Sequence, residues 1–330
     1  MLTICRFLNN AACAYSMTYD EGFLETLTNA YPIHQKYGFP GHVDVVAGQL
    51  GQRRNCYLSS MNGFFHMGAE HLRFLISQGW SVGNHSYSHF VYPIQAGLDM
   101  YREVVYSKYL LEDKLGVPIT FFAIPNDKYN YEPALPYIRQ AGYLGCQYID
   151  GGVNYDDVDL LKIGNFMVAE GPLHKSYDWP EMLLTENITR KNIDGGWLCE
   201  TTHLVMHNTI QPHKNITPEG LERRFVKLKE IMGDALWAAV PEDVVDYILC
   251  RRNARISAVS PTEYAVEVST IPVGVRKRAL TFTMEGEWRQ ISVEGEMIKP
   301  LSVSDGKTIF THDFCRHGVT TVIFKFGNQR

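Results

Sequence analysis

For some 250 residues, short apolar runs alternate with helix-patterned segments, and this alternation constrains the fold more than any other feature of the chain. Candidate strands fall at 12–18, 42–47, 79–84, 119–124, 145–150, 162–168, 202–207 and 236–240. Between many of them lie helical stretches such as "AEHLRFLISQG", "YREVVYSKYLLEDKLG" and "TPEGLERRFVKLKEIMG". The last of these opens with Thr217 as an N-cap, Pro218 at the first helical position and Glu219 in the first turn. A capping hydroxyl, a preset φ and an anion near the positive end of the helix dipole together mark a start. Repeated strand–helix units require a parallel sheet. Roughly eight strands in that length favour a closed, irregular (β/α) barrel over an open sheet.

The pattern changes after "EDVVDYILCRRN". Tyr264, Val266 and Val268 recur with a period of two, as do Leu280, Phe282 and Met284, and Val322, Phe324 and Phe326. Turn signals at Glu294-Gly295 and Asp305-Gly306 separate such runs. The expected organisation is a barrel over residues 1–253 followed by a small all-β, sandwich-like domain over 254–330.

A formal charge of −5 gives no electrostatic reason to expect nucleic acid or an anionic membrane as partner. No stretch reaches the ~18 apolar residues of a membrane span. Arg6, Asn9 and Asn10 interrupt any signal-peptide core at the start, and none of the seven cysteines form a C-x-x-C pair. These features favour the cytoplasm, although a leader removed upstream would leave the same picture and make the protein a secreted one.

Polar clusters close several of the candidate strands. The first ends in "SMTYDEG", which sets Asp20 and Glu21 side by side. The third runs into "GNHSYSH", with His85 and His89 four apart, and the seventh into "HLVMHN", with His207. In a (β/α) barrel the carboxyl ends of the strands share one mouth, so these clusters would meet there. Two imidazoles and one carboxylate leave open positions on a divalent ion, the arrangement of a catalytic site. His203 stands four before His207, but four strand residues span about 13 Å, too far to share an ion. It is read as structural.

With these residues in place, the chain resembles the NodB-homology polysaccharide deacetylases, carbohydrate esterase family 4. "MTYDEG" is similar to the family's first motif, "GNHSYSH" to the second, "FFAIP" to the third and "LVMH" to the fifth. The resemblance covers roughly residues 10–250 and ends with "LWAAVPEDVVDYI", which looks like the family's last strand and helix. It implies a distorted (β/α) barrel, Glu21, His85 and His89 as metal ligands, Asp20 as general base and His207 as general acid. The implied ion is zinc, with cobalt, nickel or iron as alternatives. The implied reaction is hydrolysis of the acetamide of an N-acetylated sugar in an oligo- or polysaccharide, by a water activated beside the ion. An O-acetyl esterase and a non-catalytic glycan-binding barrel are the rival readings.

The chain also departs from the pattern. Glu21 stands where the family has a second aspartate, and Ala123 where the third motif has an arginine. Asn126 and Asp127 follow Pro125 where an aromatic residue and a glycine are usual. The fourth motif has only Asp178-Trp179 as a candidate.

Overall fold

The computed structural model describes residues 1–126, 128–149, 151–169, 180–207, 214–314 and 321–329. Asp127 and the Asp178-Trp179 pair therefore lie outside the described residues. The chain divides into two compact units, one of residues 14–242 and one that joins residues 1–13 to 243–330.

In the first unit seven parallel strands close into a ring. They are β1 (Cys13–Tyr19), β2 (His42–Val45), β3 (Ser81–Asn84), β4 (Phe121–Ala123), β5 (Gly145–Ile149), β6 (Ile163–Met167) and β7 (Trp197–Thr202). Each pairs with the next, and β1 pairs with β7 from Ala14↔Trp197 to Tyr19↔Thr202. A further short strand, Leu236–Ala238, adds to β1. Every residue of β1, β2, β4, β6 and β7 is buried, as expected for strands covered by helices outside and by side chains within. The distorted barrel expected from the alternation is present.

Helices follow the strands, among them Ala69–Ser77, Ser107–Leu115, Tyr131–Gln140 and Pro218–Met232. Thr217 caps the last, its hydroxyl accepting from the Gly220 amide at 3.1 Å. Among the described residues no helix is long and apolar enough to cross a membrane.

One expected strand is displaced. The seventh barrel strand covers 197–202, whereas the apolar pattern places it at 202–207. The run "WLCETT" hides its strand character because it carries a charge, Glu200, which is fully buried. Arg224 reaches that carboxylate through both Nε, at 3.1 Å, and Nη2, and the Tyr15 hydroxyl donates to it at 2.8 Å. Leu204–Val205 instead forms a two-residue strand paired with Asn215–Ile216, outside the ring. Removing one partner of a buried ion pair strands the other charge, so Arg224→Met should cost about 3–5 kcal/mol. Urea denaturation would check this, and a loss under about 1 kcal/mol would mean that Glu200 is stabilised some other way.

The second unit holds two antiparallel sheets. One sets Leu2–Ile4 beside Ala279–Glu285, followed by Lys307–Asp313 and Ser302–Ser304. The other runs in the order Arg255–Ser260, Glu263–Glu267, Thr321–Gln329, Trp288–Val293 and Glu296–Ile298. Phe282 and Phe310 of the first sheet meet Phe324 of the second at ring separations of 5.2 Å each, so the sheets pack face to face.

Candidate functional site

Because all seven strands run the same way, the residues that end them share one mouth. Asp20 and Glu21 follow β1, and the Asp20 amide donates to the Thr202 carbonyl at the end of β7. His85 follows β3, its amide donating to the Val45 carbonyl at the end of β2. His203 follows β7. Gly83, two residues before His85, has to be a glycine: a Cβ there would sit 2.3 Å from Asp44 Oδ1 and 2.6 Å from His42 Nε2.

Glu21, His85 and His89 converge. Each offers a ligand atom, these atoms lie within 4.8 Å of one another, and all three side chains are buried. His85 Nδ1 lies 3.0 Å from the Ala123 carbonyl oxygen. Only an N–H satisfies that oxygen, which leaves Nε2 with a lone pair for an ion. His89 Nε2 is 3.1 Å from Glu21 Oε1. Burial holds both imidazoles well below their usual pKa, helped at His85 by His89 and at His89 by Arg54. Neutral imidazoles and a carboxylate, converging and sheltered from water, fit a divalent ion.

The backbone around this cluster is unusual. Glu21, Ser86, His89 and Asn126 all have left-handed φ, of 79°, 66°, 58° and 53°. Each such non-glycine residue costs about 1–2 kcal/mol and persists only where its surroundings fix it. Asn126 shows how: its amide nitrogen lies 3.1 Å from His89 Nδ1 and donates to the Phe90 carbonyl at 2.9 Å.

Asp20 precedes Glu21 in the chain and is 5% exposed. Thr201 donates to its Oδ1 at 3.1 Å, and His203 Nε2 lies 3.8 Å from its Oδ2. Burial, and then the Asp44 carboxylate, raise the Asp20 pKa to about 8, while the Thr201 hydrogen bond, His42 and Lys214 pull it down. Asp44 belongs to a buried chain inside the barrel. Its Oδ1 meets His42 Nε2 at 2.9 Å, and His42 Nδ1 meets Ser81 Oγ at 2.6 Å and Glu242 Oε2 at 3.2 Å.

The two histidines after β7 are placed differently. His203 is 6% exposed, beside Asp20, and its Nδ1 has no partner among the described residues. His207 is outside this cluster: its side chain is 57% exposed and its Nε2 lies 3.5 Å from Glu219 Oε2. The five-residue shift of the last strand accounts for this, because it makes His203 the residue at the strand end.

Two further side chains at the site come from residues 47–68, between β2 and the helix Ala69–Ser77. Arg54, 2% exposed, pairs with Glu21 through Nη1. His66 Nδ1 donates to the Glu21 carbonyl at 2.8 Å. Neither has a local sequence signal. The length of the connection is the one hint, since loops this long without regular structure are uncommon unless they serve a site.

Residues 10–145 match the family described as "Polysaccharide deacetylase", a span that contains Asp20, Glu21, His85 and His89. The chain is 22% identical over 155 residues to "Putative polysaccharide deacetylase YxkH" of Bacillus subtilis (strain 168). That match covers 47% of this chain and 51% of the relative, so the chain spans about half the length of the relative it matches. Among solved structures, "putative polysaccharide deacetylase from Mycobacterium smegmatis" aligns with a TM-score of 0.47 and 13% identity, over 78% of this chain and 98% of that one. The Streptococcus pyogenes deacetylase PplD, in complex with acetate, aligns with a TM-score of 0.39 and 19% identity, over 46% and 63% of the two chains. Residues 10–145 of the chain are thus similar to the polysaccharide deacetylase family, over the same stretch that carries Asp20, Glu21, His85 and His89.

Proposed function

We propose that this protein is a metal-dependent hydrolase that removes acetyl groups from an N-acetylated sugar of an oligo- or polysaccharide. The observation that carries the reading is the convergence of Glu21, His85 and His89, whose ligand atoms lie within 4.8 Å of one another, with the buried Asp20 as the residue before Glu21. Glu21, His85 and His89 would hold a divalent ion, zinc first. Such an ion polarises an acyl carbonyl and brings the pKa of a water from about 15.7 toward about 7.

The protein's own groups supply the proton transfers. Asp20 takes a proton from the attacking water as its oxygen bonds to the acetyl carbon. A proton must then reach the sugar nitrogen as the C–N bond breaks, releasing free amine and acetate. We assign that donor role to His203 in place of His207, because His203 stands at the strand end, 3.8 Å from Asp20, whereas His207 is exposed on Glu219.

The test is acetate release from a panel of N- and O-acetylated saccharides, using zinc-loaded protein and a chelator-treated control. The expected result is release from N-acetylated members that chelation abolishes and zinc restores. Release from O-acetylated members alone would make the protein an ester hydrolase, and no release from any member would favour a glycan-binding barrel.

A further inference from the structure

The connection between β2 and the next helix is laced onto the segment that carries Glu21. The Met67 amide donates to the Gly22 carbonyl at 2.8 Å, the Leu24 amide to the Phe65 carbonyl at 2.9 Å, and His66 to the Glu21 carbonyl. Within the connection, the Arg54 amide donates to the Phe64 carbonyl at 2.7 Å and the Gly63 amide to the Arg54 carbonyl at 3.0 Å. Arg54 is thus fixed by its backbone as well as by its side chain. Its Nε donates to Ser59 Oγ at 2.9 Å, its guanidinium lies 5.5 Å from the Phe23 ring centre, and Nη1 meets Glu21 Oε2. The other oxygen of the same carboxylate, Oε1, faces His89. The two oxygens of Glu21 are divided between an arginine and a histidine.

We propose that Arg54 is the positioning residue of the Glu21 carboxylate. By holding Oε2, it commits Oε1 to the histidine side and fixes the torsions of a side chain one methylene longer than aspartate. A rigid planar fork suits this task, and lysine's single flexible ammonium does not. The inference rests on the reading that Glu21 is a metal ligand. It has a rival with the opposite sign: if Arg54 were only a nearby positive charge, removing it would relieve repulsion on a dication and tighten binding.

Zinc affinity, by chelator competition, and the visible spectrum of the cobalt-substituted protein separate these cases without reference to activity. Arg54→Met should weaken zinc binding by about 10–100-fold, the usual loss when a partner of a ligand is removed, and should change the cobalt spectrum. In a Glu21→Gln background the same change should cost less than about 3-fold, because no anionic ligand remains to be positioned. Arg54→Lys should fall between wild type and Arg54→Met, and it decides the matter if Arg54→Met does not fold. Unchanged or tighter zinc binding in Arg54→Met, or in Arg54→Lys where only that variant folds, would overturn the proposal. So would an equal loss in both Glu21 backgrounds. If Glu21→Gln alone leaves zinc affinity unchanged, the ligand reading itself fails, and the proposal with it.

Discussion

Asp20→Asn is expected to keep its divalent ion and yet lose about 10²–10⁴ in kcat, the worth of a positioned proton acceptor. Glu21→Gln should behave in the opposite way, with weakened metal binding and activity partly recovered by excess metal. Metal titration followed by kinetics on an N-acetylated saccharide checks both. Equal metal loss in the two variants would mean that the roles of these neighbours are wrongly divided.

Asp20 carries a second signature in its pH dependence. Burial and Asp44 raise its pKa from 3.8 to about 8, so the folded chain retains a proton that the unfolded chain releases above about pH 4. Stability of the chelator-treated protein should therefore decline as pH rises from about 4 to 8, where the folded state binds more protons than the unfolded. Asparagine carries no such charge. Its advantage in Tm over the wild type should be larger at pH 8 than at pH 4. A dication at the cluster favours the ionised carboxylate and should reduce the difference. An advantage that does not change with pH would show that Asp20 is not charged against its surroundings.

The second large effect separates two histidines four residues apart. His203→Ala should lower kcat on an N-acetylated substrate by about 10²–10⁴, because the amine leaves poorly without a proton. On an aryl acetate, whose leaving group departs as an anion, the loss should be much smaller. His207→Ala should stay within a few-fold on both, as befits a half-exposed side chain on Glu219. The reverse ranking would return the donor role to His207 and would require the segment after β7 to fold over the mouth.

The sequence makes some parts of this site readable and leaves others hidden, for physical reasons. His85 and His89 are legible because they follow a strand whose apolar residues match its true limits, within two residues. Asp20 and Glu21 are legible for the same reason at β1. The last strand misleads because hydrophobicity locates a strand only when its charges point outward. Glu200 points inward and is compensated by Arg224 and Tyr15, neither of which is near it in sequence. The apolar residues Leu204 and Val205, lying just beyond it, draw the reading five residues too far. Arg54 is hidden for a related reason. Its meaning depends on Glu21, thirty-three residues earlier, and on a loop whose course no periodicity dictates. The strand Leu2–Ile4 is equally silent, since its partner lies at Thr283 and its neighbours.

That last pairing has a consequence for how the chain is made. Leu2, Thr3 and Ile4 align with Met284, Thr283 and Phe282, so this strand pairs with one that is synthesised much later. At ordinary rates of synthesis, about 5–20 residues per second, the Leu2–Ile4 strand waits roughly a quarter of a minute to a minute for its partner. Throughout that interval its backbone donors and acceptors are open to any other strand edge in reach. β1 begins only nine residues further on, and its own closing partner β7 is complete at Thr202, well before Phe282 appears. The seven-strand ring can therefore close first, during translation, while the residues ahead of it still await the sheet they will join.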